Sequence, residues 1–143
     1  MPLALLLALP FLGCLIAVLL PKRARTSLAA WTGFVSTVAA CGLLLRYPQV
    51  RDGGVLHART AWLPSLGVDL HLRLDGFGWM FALLITVIGA LVALYARYYM
   101  SPDDPPARFY ASLLAFMGAM LGVVLSGNLV QLVVFWELTS LVS

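Results

Sequence analysis

The sequence predicts an all-α integral membrane protein, a polytopic helix bundle with about five transmembrane helices and a small extracytoplasmic β-hairpin between the second and third. Three observations carry this reading. The 143 residues are 62% hydrophobic and only 10% charged, with a mean hydropathy of +0.98, whereas soluble domains run near half apolar and about a quarter charged. Apolar runs of roughly membrane-spanning length recur along the chain. One segment between the second and third runs alternates apolar and polar residues with the period of a half-buried strand. So little polar surface cannot cover a water-soluble globule, which excludes a soluble enzyme and a disordered regulator. The sequence pI of about 9.2 does not indicate nucleic acid, because the nine basic residues are scattered and form no basic face.

The first helix is expected at about 3–20, an uncharged stretch with Pro10 inside it; membrane helices tolerate such a proline when neighbours satisfy the freed carbonyl. Its basic cluster, Lys22, Arg23 and Arg25, follows the apolar run rather than preceding it, so a retained helix fits better than a cleaved signal peptide. The second helix is expected at 27–45, capped by Thr26 or Ser27 and ended by Arg46, Tyr47 and Pro48. In residues 55–75, Val68, Leu70, Leu72 and Leu74 alternate with Asp69, His71, Arg73 and Asp75. Ala61-Trp62-Leu63 forms the other arm, and Pro64-Ser65-Leu66-Gly67 the turn. This hairpin is expected to lie on the membrane surface over the helix ends. The third helix spans 76–99, with Asp75 as its N-cap and Tyr95, Arg97, Tyr98 and Tyr99 as an interfacial belt. A proline-rich loop leads to a fourth helix at about 109–126, and Gly127-Asn128 breaks it before a fifth at 128–143.

That last run measures roughly 24 Å at about 1.5 Å per residue, short of the roughly 30 Å of a bilayer core. It carries no interfacial belt at its end, so the chain is expected to be the N-terminal portion of a longer protein. The basic residues of the first turn and of the 97–108 loop (Arg97, Arg108) fall on one side. Assigning that side to the cytoplasm places the N-terminus and the hairpin outside.

Small features read as packing. Cys14 and Cys41 lie in different apolar runs and suit packing better than pairing. His57 and His71, 14 residues apart, lack the spacing of metal ligands, and no metal or cofactor is expected. Gly118 with Gly122, and Ala29 with Gly33, are small-xxx-small pairs that permit close helix approach. Trp79, Phe81 and Phe116 are expected to face lipid or the core.

One residue carries chemistry. Glu137 is the sole ionisable group deep in any predicted span, roughly 14 Å beyond Asn128 and so near the bilayer middle. A charge there costs on the order of 3 kcal/mol or more on insertion and marks a functional site by default. A carboxyl whose charge a neighbouring cation can switch is what proton-coupled transport requires. Ser140, at i+3, shares its face, and Thr139 lies beside it. No basic residue lies at that depth in this chain, so its partner is expected elsewhere.

From Leu72 to Ser143 the sequence resembles the N-terminal region shared by complex I antiporter-like subunits and the large A subunit of Mrp-type multisubunit cation/proton antiporters. The resemblance rests on Leu74-Asp75-Gly76-Phe77, Tyr95-Ala96-Arg97-Tyr98-Tyr99, Arg108-Phe109-Tyr110, Phe116-Met117-Gly118-Ala119-Met120 and Ser126-Gly127-Asn128-Leu129. The closing Phe135-Trp136-Glu137-Leu138-Thr139-Ser140-Leu141 looks more like the Mrp protein. The first two helices match in hydropathy only, and Val142-Ser143 departs slightly from the usual residues.

The resemblance implies that Glu137 is the family's fifth-helix glutamate, paired with a lysine on a later helix in a proton half-channel. It also implies a multi-pass protein of a prokaryotic cell membrane, working with other subunits of a hetero-oligomer and moving H⁺ against Na⁺ or another monovalent cation. The alternative is a proton-pumping membrane subunit of a complex I-like oxidoreductase or a membrane-bound hydrogenase. A third reading, a membrane scaffold, requires Glu137 to be inert. Nothing in the sequence marks an enzyme: there is no nucleophile–base pair, phosphate loop or cofactor box.

Overall fold

A computed structural model describes residues 2–21 and 25–143. The elements run α1 (Leu3–Leu19), α2 (Arg25–Leu44), α3 (Tyr47–Val50), β1 (Leu56–Leu63), β2 (Val68–Leu74), α4 (Gly76–Tyr99), α5 (Pro106–Leu125) and α6 (Leu129–Val142). The chain is mostly helical with one small two-stranded antiparallel sheet. By length and composition α2, α4 and α5 can cross a membrane, and α1 and α6 are shorter apolar helices.

The helix boundaries follow local chemistry. The Asp75 carboxylate accepts the Gly78 N–H at 2.7 Å, and α4 starts and ends at the predicted residues. Helix α5 starts at Pro106 rather than near Phe109, since proline's fixed φ and missing N–H suit the first helical position. Helix α2 already includes Arg25, so Thr26 and Ser27 sit in its first turn and do not cap it. Lys22 and Arg23 lie outside the described residues. The Arg25 guanidinium donates to the Met100 carbonyl at 2.9 Å and also to the Ser101 carbonyl. The start of α2 is thereby tied to the end of α4. The single turn α3, in a stretch read from sequence as irregular, opens on Tyr47-Pro48 and buries Val50.

The bundle is built around α5, which packs against α1, α2, α4 and α6, while α2 packs along α4. Helix α5 supports this by presenting small residues on its buried sides: Ala111, Gly118, Ala119 and Gly122 beside Leu114, Leu121 and Leu125. The two glycines seat aromatic rings. A Cβ on Gly118 would lie 2.9 Å from the Phe11 ring of α1, and one on Gly122 would collide with Phe135 of α6. Close helix approach, expected from this pair, is therefore achieved by ring insertion. Gly33 has nothing within 4 Å of where its Cβ would stand, so it makes no such contact among the described residues, although Ala29 is buried. Trp79 turns inward and donates its indole N–H to the Leu43 carbonyl at 2.6 Å. Cys14 and Cys41 are free thiols, and Cys41 is exposed rather than packed.

The core has two clusters, one at each end of the bundle. Leu3, Leu6 and Leu7 gather with Leu43, Val50, Ala82, Leu121, Leu125 and Phe135 at the first. Ala17, Leu28, Ala93, Ala96 and Tyr110 are among those that meet at the second. This pairing of helix starts with helix ends is that of an up-and-down bundle. Leu72 and Leu74 belong to the first cluster, so the hairpin's apolar face lies over that end. The opposite end holds Arg25 and the 97–108 loop.

Strands β1 and β2 pair antiparallel from Leu56↔Leu74 to Leu63↔Val68, with an irregularity between Ala61 and Leu63. The predicted Pro64–Gly67 turn is a short 3₁₀ turn closed by Gly67 at φ +64°, a left-handed conformation that favours glycine. Period-two alternation sends Leu70, Leu72 and Leu74 inward and leaves Asp69 and Arg73 exposed.

Candidate functional site

Glu137 lies on α6, whose orientation is fixed at its N-terminal half. The Asn128 side chain accepts the Gln131 N–H at 2.8 Å and caps the helix. Gln131 and Phe135 are its buried residues, four apart and facing α5, and Phe135 is seated on Gly122. Two residues on from Phe135, about 200° around a helix at about 100° per residue, Glu137 points away from α5 and is exposed. From the first residue of α6 it stands roughly 12 Å along the axis.

Among the described residues, the Glu137 carboxylate has no hydrogen-bond or ion-pair partner; the salt bridges are Arg51–Asp52 and Arg73–Asp75. Ser140 is exposed on the same side, as its i+3 position requires. Thr139 is half-buried, and its hydroxyl donates back to the Trp136 carbonyl at 2.5 Å, a local helix bond that takes up its proton. The glutamate is thus held on a face that α1–α5 leave open. The structure brings Glu137 and Ser140 to one face and turns Thr139 from it.

The hairpin meets α6 where α6 begins. The Gly127 N–H donates to the His71 carbonyl at 2.7 Å, and the His71 N–H donates to the Gln131 Oε1 at 2.9 Å. Leu72 and Ser126 form an isolated antiparallel bridge, and the Asn128 amide donates to the Asp69 carbonyl at 3.3 Å. The α5–α6 junction therefore lies along the outer edge of β2 through one isolated bridge, satisfying backbone groups an edge would leave open. Gly127 is required there, because a Cβ would stand 2.6 Å from the His71 ring.

Sequence reading missed Gln131, a polar residue in an apolar run whose partner is a backbone amide 60 residues earlier. It also set His57 and His71 apart. In the fold their rings stack, with Nδ1 of His57 3.1 Å from Nε2 of His71. The signal was available: alternation along β2 and the length of the turn place both on the hairpin's polar face. Among the described residues no group of three or more His, Cys, Asp or Glu side chains gathers to hold a metal.

Comparison with known proteins bears on this arrangement. The family model for the N-terminus of chain 5 of NADH-ubiquinone oxidoreductase (complex I) matches residues 62–110. The A/B subunit of a probable K⁺/H⁺ antiporter of Rhizobium meliloti is 54% identical over 141 residues, covering 99% of this chain. The A subunit of the Na⁺/H⁺ antiporter of Alkalihalophilus pseudofirmus is 45% identical over 136 residues, covering 94%. The chain is a relative of the N-terminal part of Mrp-type antiporter A subunits.

It spans 14% and 17% of the lengths of those two relatives. An Mrp complex from Dietzia superposes with a TM-score of 0.69 at 29% identity, over 98% of this chain and 14% of the matched one. An archaeal membrane-bound sulfane sulfur reductase shares the fold, with a TM-score of 0.79 at 22% identity over 96% of this chain and 21% of its own. The complex I family match ends within α5 of this Mrp relative, so it leaves α6 and Glu137 outside the matched residues.

Proposed function

We propose that this chain forms the N-terminal part of the large subunit of a multisubunit monovalent-cation/proton antiporter, with Glu137 as a proton-carrying group of its half-channel. The observation that carries the reading is the placement of Glu137: a carboxyl on an apolar helix, turned away from the helix it packs against. A charge at such a depth is costly unless it meets a partner or water. Its open face provides for a basic residue of a later helix or of another subunit. Proton gain and loss at Glu137 then changes the charge that this partner sees, and that alternation couples proton to cation movement. Ser140 lines the same face and can pass a hydrogen bond to the carboxyl.

In this reading residues 1–143 form a single unit with five spans, α1 and α6 included. The hairpin and N-terminus are extracytoplasmic, in the cell membrane of a prokaryote. The Arg25–Met100 bond supports that topology, because it brings Arg25 to the end of the bundle that holds Arg97 and Arg108, as the positive-inside rule asks of a cytoplasmic side.

The cation is K⁺ or Na⁺, since relatives are named for each. The test uses everted vesicles carrying the full-length protein with its partner subunits. Addition of NaCl or KCl should dissipate a preformed ΔpH, and choline chloride should not. Failure of both salts in a correctly assembled complex contradicts the reading and favours the redox-driven proton pump.

A further inference from the structure

The proposed transport step does not use the histidines of the hairpin, yet one of them, His71, sits at the contact between β2 and the start of α6, and the other, His57, touches it. We infer that His57 and His71 are pH-responsive positioning residues that set the entry of α6, and with it the placement of Glu137. The effect on transport rests on the proposed role of Glu137, while the hairpin contact itself does not.

Two imidazole nitrogens approach to 3.1 Å. One must donate and the other accept. A pair carrying no extra proton satisfies this through one N–H, and a pair carrying one extra proton does so through an imidazolium donor. With both rings protonated, two donors face each other and the contact opens.

The surroundings sharpen that outcome. Arg73 stands directly across the ladder from His57, and Arg59 directly across from His71. A doubly protonated pair therefore puts four cations on one small face. Against them stand Asp69 on β2 and Asp75, whose carboxylate already pairs with Arg73 at 3.1 Å and caps α4. The α5–α6 junction and the first turn of α6 contribute only neutral groups, Ser126, Asn128 and Gln131.

His71 transmits the change. Its ring rests against Gly127, its carbonyl accepts the Gly127 N–H, and its own N–H is held by Gln131. Gln131 is fully buried, and among the described residues its Nε2 finds no partner, so the His71 N–H donated to its Oε1 is the bond that secures this side chain. Displacing the His71 ring disturbs both backbone bonds and loosens the start of α6, two helical turns before Glu137.

The experiment uses the assembled complex with the full-length chain. Amide hydrogen exchange over residues 126–132, corrected for intrinsic rates, is measured at about pH 8 and about pH 5, which brackets imidazole titration. Wild-type protein should lose protection at the lower pH. His57→Gln, which cannot be protonated and can accept from His71 at either pH, should keep it. Gln131→Ala should lose protection at both. In vesicles, His57→Gln should flatten the acid limb of the transport profile while leaving the alkaline rate within about twofold.

Protection that is independent of pH in the wild type, or that falls equally in His57→Gln, overturns the inference. So does altered exchange with an unchanged transport profile, because the contact then fails to reach the site. If Glu137→Gln alone leaves transport intact, the function of Glu137 fails while the exchange result still reports on the histidines.

Discussion

Single residues decide this structure where an aromatic ring or a ring nitrogen meets backbone. Phe135 fills the space that Gly122 leaves on α5, and on the same helix it fixes which way Glu137 points. Replacing Gly122 by valine forces the ring out. Overpacking of this kind costs typically about 1–3 kcal/mol, so Gly122→Val should lower the melting temperature of the assembled complex and reduce transport together. The test is thermal unfolding alongside flux in vesicles. Thr139 behaves differently from its neighbour. Its hydroxyl is occupied by the Trp136 carbonyl, so Ser140 is the better candidate for contact with a proton path.

At the scale of elements, caps and turns explain what was legible in the sequence. Asp75 was identifiable because a carboxylate stands directly before an apolar run, and α4 follows it from Gly76 to Tyr99 as predicted. The hairpin was legible through strict alternation and through Pro64–Gly67. Boundaries set by tertiary contacts were not. Helix α2 begins earlier than its capping residues suggest, where Arg25 reaches the end of α4, and α3 forms where Val50 can be buried. Nor was the docking of β2 on the α5–α6 junction legible, because a glutamine accepting a strand amide leaves no periodic trace. Asp75→Ala removes the cap of α4, and N-cap losses cost about 1 kcal/mol. Its charge also pairs with Arg73 at the hairpin's end, so the variant should show faster hydrogen exchange over 72–80 with little change elsewhere.

The described residues form an up-and-down bundle with a polar hairpin at one end, and with Arg25 and the 97–108 loop at the other. Glu137 is exposed on α6, on the side turned away from α5. In the proposed topology the turn of the hairpin faces outside. Ser65→Cys in a cysteine-free background should therefore react with an impermeant maleimide in intact cells, and labelling only after permeabilisation would invert the arrangement. Glu137 was identifiable from the sequence, since it is the only carboxylate in the predicted apolar runs. That the described residues of α1–α5 offer it no partner became plain only from the way α6 is rotated by Gln131 and Phe135. The decisive measurement is ΔpH-driven efflux of Na⁺ or K⁺ from vesicles holding the full complex with Glu137→Gln. Glutamine keeps the size and hydrogen bonding of the side chain but removes its proton exchange, so efflux should fall by more than about tenfold while assembly is unchanged. Wild-type efflux from normally assembled Glu137→Gln would rule out Glu137 as the proton carrier.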